Sequence, residues 1–102
     1  MSGENFITSS DGVYEISGLL TFATVPQLLG QSKQWLVKGE QAVTIDLKSV
    51  SKADSAGLAL MVEWLHLARQ AHRELRFINI PSQLTHLIRL SGLQDVFSAA
   101  SA

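Results

Sequence analysis

The chain has 102 residues, 46% hydrophobic and 17% charged, with 8 basic and 9 acidic side chains and a net charge of -1. That length suits a single domain over residues 1–102, large enough to bury a core without covalent staples. The absence of cysteine excludes disulfides, thiolate nucleophiles and cysteine zinc sites, and the scattered Lys and Arg residues form no basic stripe for nucleic acid.

The opening MSGENFITSS has neither the basic nor the apolar region of a secretory signal. No apolar run approaches the roughly 20 residues of a membrane span. A soluble, cytoplasmic protein without direct membrane insertion is therefore expected. In chain order, Phe6–Ser9 and Val13–Ser17 flank Asp11-Gly12, a hairpin signal, and Gly18 is expected to end the second strand. Thr24 is placed to cap a helix from Val25 to Lys38, with Pro26 tolerated in its first turn and Gly39 as its stop. Val25, Leu28, Leu29, Ser32, Trp35 and Leu36 fall on the buried face of that helix. Gln41–Leu47 alternates as a strand does, and the polar stretch Lys48–Lys52 reads as a loop. A long helix follows from Ser55 to about His72. Leu75–Ile80 is apolar on both faces, which predicts a central strand. Pro81-Ser82 opens a third helix packed through Leu84, Leu87, Ile88 and Ser91 and closed by Gly92, and Leu93, Val96 and Phe97 form an apolar tail. The order β-β-α-β-α-β-α predicts an α/β fold: a mixed sheet with an antiparallel edge hairpin, parallel strands joined by right-handed crossovers, and helices packed on it.

Along the long helix, Leu58, Met61, Val62, Leu65 and Ala68 share a face, with a second apolar row, Leu60, Trp64, Leu67 and Ala71, beside it. Together they span roughly 220°, about twice the stripe of an ordinary sheet-packed helix. Either neighbouring helices cover the second row, or part of it, Trp64 included, is a partner surface or a homodimer contact. At the start of this helix Asp54 is a good N-cap, a role worth about 1 kcal/mol. Capping gives Ser55 no purpose, and Ala56 and Gly57 leave the first turn thinly covered. Such a turn admits another protein's backbone or a kinase, and a phosphate on Ser55 would sit favourably at a helix N-terminus.

The segment VTIDLKSVSKADSAGLAL, Val43–Leu60, resembles the signature of STAS domains, the family of sulfate transporters and anti-sigma-factor antagonists. Asp46, Leu47, Asp54, Ser55, Gly57 and Leu58 match the family pattern, and the element order through Ser91–Leu93 fits as well. The resemblance implies a non-catalytic docking domain and nominates Asp54, Ser55, Ala56 and Gly57 as partner-binding residues, with Thr24, Leu28 and Leu29 of the first helix region beside them. DSAGLAL looks most like the cytoplasmic STAS subunit of the bacterial lipid-asymmetry ABC transporter. That type binds the transporter's ATPase subunit, which would hold the chain at the inner face of the inner membrane. The alternative is an anti-sigma-factor antagonist, in which the residue matching Ser55 is the phosphoacceptor of an anti-sigma-factor kinase. The bulky aromatic of the transporter type near Leu29 is absent here.

Other chemistries lack their residues. His66, His72 and His86 have no ligand spacing, and Glu63-x-x-His66 lacks the second copy a di-metal bundle needs, so no metal is expected. There is no phosphate-binding glycine loop and no nucleophile elbow, so no cofactor and no enzymatic activity are expected.

Overall fold

A computed structural model describes residues 6–39 and 41–98. Strands β1 (Phe6–Ser10) and β2 (Val13–Leu20) form the antiparallel hairpin, joined by Asp11 (φ 52°) and Gly12 (φ 81°). Positive φ at both central residues matches the twist of a two-residue hairpin turn. Helix α1 (Val25–Leu36), strand β3 (Val43–Ala53), helix α2 (Ser55–Gln70), strand β4 (Leu75–Ile78) and helices α3 (Ser82–Leu90) and α4 (Gln94–Ser98) follow. The sheet order is β1-β2-β3-β4, with β2, β3 and β4 parallel. Consecutive crossovers of one hand in one direction lay α1 and α2 on the same sheet face. Ile16, Val43, Ile45, Leu47 and Phe77 face them and are fully buried. On the opposite face Val13 and Arg76 are exposed.

Several local expectations differ from the structure. Helix α1 ends at Leu36 rather than Lys38, and the expected apolar tail forms α4, with Phe97 buried but Val96 exposed. Gly18 does not end β2: its φ of 102° and the register shift between Gly18 and Leu19 make a bulge, after which β2 continues to Leu20. Lys48–Lys52 is strand, not loop, because the prolonged β2 supplies it with a partner, Ser17 against Ser49 through Leu20 against Ala53. β4 is a sheet edge rather than a centre; among the described residues it pairs only with β3, and its inner residues Leu75 and Phe77 are covered by helices. The helix after Ser55 ends at Gln70 because His72 turns left-handed (φ 56°), with its amide donating to Arg69 O and the Arg73 amide to Ala68 O.

The second apolar row of α2 is largely interior. Trp64 is fully buried and Leu60 is 1% exposed. The Trp64 indole N–H donates to Ser32 Oγ of α1 at 2.8 Å, and that hydroxyl donates to Leu29 O at 2.9 Å. Trp64 is therefore no surface for a partner or a second copy; α1 occupies that side of the helix, while Val62 of the first row is exposed.

Candidate functional site

The ends of β2 and β3 and the start of α2 meet at one point. The Asp54 amide donates to Leu20 O at 3.2 Å, which ties the entry of α2 to the last residue of β2. Asp54 is in extended conformation and its Oδ1 accepts from the Ala56 amide at 2.8 Å, a helix cap that offsets an otherwise orphaned first-turn donor. Its Oδ2 accepts from the Phe22 amide at 3.2 Å, across to the loop between β2 and α1. On the far side, Gln83 Oε1 of α3 accepts from the Ala53 amide at 3.0 Å.

The nominated residues separate into a surface and its support. Ser55 is exposed, and its hydroxyl has no hydrogen-bond partner among the described residues. Asp54 and Ala56 are half-buried beside it. Gly57 is buried, so it offers a partner no contact; a β-carbon there would lie 2.7 Å from Leu20 O, and glycine is what lets α2 close on the end of β2. Leu28 is 1% exposed and belongs to the core, while Leu29 is half-buried. The heptad-like spacing of α1 did not separate the two, because both lie on its inward side.

Thr24 stands at the N-cap position of α1, yet its side chain does not cap the helix. Its Oγ1 donates to Leu19 O at 2.7 Å and accepts from the Thr21 amide at 3.0 Å, so the hydroxyl shapes the loop instead. That loop carries a residue the motif does not contain. Phe22 is 84% exposed, the highest exposure among the large hydrophobic side chains described. The signal in the sequence was a lone aromatic between Thr21 and Thr24, directly after a strand and before a proline-started helix, where no core lies within reach.

Asp46, also part of the matched pattern, is 6% exposed and structural: its Oδ1 accepts from the Lys48 amide at 3.0 Å and from Asn79 Nδ2 at 3.1 Å. The Lys48 ammonium lies 3.8 Å from its other oxygen. Among the described residues no three His, Asp or Glu side chains are grouped to hold a metal, and no helix is long and apolar enough to cross a membrane.

Comparison with known proteins agrees with this architecture. The family model described as "Mlab, STAS domain" matches residues 7–98. The anti-sigma-B factor antagonist of Staphylococcus aureus is 31% identical over 91 residues, 87% of this chain and 84% of that protein. An anti-sigma factor antagonist from Mycobacterium paratuberculosis superposes with a TM-score of 0.70 at 22% identity, over 92% of this chain and 81% of the other. The Bacillus cell fate determinant SpoIIAA, solved in its phosphorylated form, gives 0.70 at 14% identity over 97% and 89%. With the signature strand-to-helix junction at Asp54–Ser55, the sequential sheet order and a family match across nearly every described residue, this chain belongs to the STAS domain family.

Proposed function

We propose that the chain is a non-catalytic docking domain that presses the Ser55 turn against a nucleotide-binding protein. Ser55 itself carries this reading. It is an exposed serine, without a side-chain partner among the described residues, at the first position of a helix already capped by Asp54, where serine adds nothing to helix stability. A bare hydroxyl beside a small Ala56 suits a close protein contact, and a contact that differs between two partner states shifts the partner's equilibrium between them.

The curated relatives, named as anti-sigma-B factor antagonists, support the antagonist reading. On it, the partner is an anti-sigma-factor kinase and Ser55 is its phosphoacceptor. Phosphoryl transfer would form a bond from Ser55 Oγ to the γ-phosphorus of the kinase-bound nucleoside triphosphate, release the nucleoside diphosphate and leave the hydroxyl proton with a base on the kinase. The dianion would then end docking by occupying the contact with unpaired charge. A second reading has its own support in the description of the matched family model and in the DSAGLAL segment. On it, the partner is the ATPase of a phospholipid-transporting ABC complex that maintains lipid asymmetry, and the chain sits in the cytoplasm at the inner face of the membrane through that partner, touching no lipid.

Gentle affinity purification from the source cell, with the mass of the Ser55 peptide read in the same run, tests the proposal. A kinase with phosphorylated Ser55 supports the antagonist; an ABC ATPase and permease with unmodified Ser55 support the transporter subunit. Recovery of a partner that binds Ser55→Asp as tightly as the wild type overturns docking through this turn.

A further inference from the structure

Phe22 is held out in solvent by a loop that is tightly made. The Thr24 and Val25 amides donate to Thr21 O at 2.9 and 3.0 Å, and Thr24 Oγ1 ties the loop back to Leu19 O. The Phe22 amide is bound from outside this loop, by Asp54 Oδ2, 32 residues along the chain. The other oxygen of the same carboxylate accepts from Ala56. Ser55 lies between those two residues in sequence, so one side chain links the Ser55 turn to the exposed ring. We infer that Asp54 is a positioning residue that couples the charge on Ser55 to the placement of Phe22, making the hydroxyl and the phenyl ring two parts of one regulated contact surface.

With Ser55 neutral, each Asp54 oxygen has one backbone N–H. A phosphate or a carboxylate at position 55 repels the adjacent Asp54 carboxylate and competes for the first-turn amides of α2. The longer bond yields first: Phe22 N–H to Oδ2 is 3.2 Å and exposed, against 2.8 Å for the cap. Phe22 N–H then loses its acceptor, and the residue is no longer tied to the head of α2. A partner seated on both would lose an apolar contact and meet a charge in the same event. An aromatic ring of this kind is the side chain that most often dominates an interface.

The consequence for a partner rests on the docking function proposed above, whereas the coupling belongs to the isolated chain and is read there. Amide shifts and hydrogen exchange of the ¹⁵N-labelled chain would be compared for wild type, Ser55→Ala, Ser55→Glu and Asp54→Asn. Asp54→Asn keeps an oxygen for the cap but cannot accept at both positions. Ser55→Glu and Asp54→Asn are each expected to shift the Phe22 amide resonance and raise its exchange rate about tenfold, with Trp64 and Ile45 amides unchanged and Ser55→Ala like wild type. A Phe22 amide unmoved by Ser55→Glu, or unmoved by Asp54→Asn, overturns the coupling. Binding of Phe22→Ala to the co-purified partner completes the set, with a loss of at least tenfold expected. Wild-type affinity in that variant removes Phe22 from the contact surface and overturns the inference, while wild-type affinity of Ser55→Asp defeats the docking function and leaves the amide result standing.

Discussion

The two ends of α1 are secured in opposite ways. At its C-terminal end the Arg73 guanidinium donates to four backbone carbonyls: Trp35 O at 2.5 Å, Lys38 O at 2.6 Å, Gln41 O at 2.7 Å and Leu36 O at 3.3 Å. There the Trp35 ring stacks on Tyr14 of β2 at 3.9 Å, with 9° between the planes. One long side chain satisfies the carbonyls that a helix end leaves open and complements its negative dipole end. At the N-terminal end the loop is bonded mainly to itself and to a single carboxylate, and Phe22, Ala23 and Ser55 stay in solvent. A polar group committed to the chain's own backbone stabilises the fold, and one left uncommitted is available to something else. The Arg73 end is scaffold; the Ser55 end is the contact surface we propose.

That contrast can be broken most sharply at Ser55. Ser55→Asp is expected to weaken partner binding by about 3–5 kcal/mol, the range for an unpaired charge in a desolvated contact, while the denaturation midpoint barely moves. Isothermal titration beside urea unfolding reads both quantities. Arg73→Ala should do the reverse, lowering stability by about 2–3 kcal/mol through its lost charge-assisted hydrogen bonds while the folded fraction binds as before. A large loss of affinity in Arg73→Ala would erase the distinction between the ends. Gly57→Ala brings a β-carbon against Leu20 O and is expected to cost about 2 kcal/mol by urea unfolding; it sharpens the comparison by showing that the glycine of the family pattern serves packing beneath the contact surface. The smallest effect is a gain. His72 holds a left-handed conformation just past α2, where Gly92 serves the equivalent turn after α3, so His72→Gly should raise stability by about 1 kcal/mol, seen as a higher Tm with binding unchanged.

The order and type of the main elements were legible because periodicity reports which face of each element is covered. Asp11-Gly12, the alternation from Val43 to Leu47 and the wide apolar arc of α2 each place one element correctly. What periodicity missed depends on pairing. Lys48–Ala53 has the polarity of a loop and is a strand only because the bulge at Gly18 lets β2 run on beside it. Phe77 reads as the core of a central strand, although α2 and α4, through Trp64 and Phe97, are what bury it at the sheet edge. At the site, Asp54 and Ser55 were visible through capping logic and the family pattern. The burial of Leu28 followed from the periodicity of α1, but the burial of Gly57 and the reach of Asp54 to Phe22 were not visible, since each depends on which segment lies opposite across a long separation in sequence.

The sheet order follows the chain order, and this has a consequence for how the molecule is made. Each new strand joins the edge formed just before it, so no strand must be inserted between two already paired. Chain emerging from the ribosome can add β3 to the hairpin and then β4 to β3, each crossover helix settling as its unit completes. The Asp54 carboxylate and its Phe22 amide belong to the middle of that sequence, so their bond requires only β2, β3 and the start of α2 to be in place.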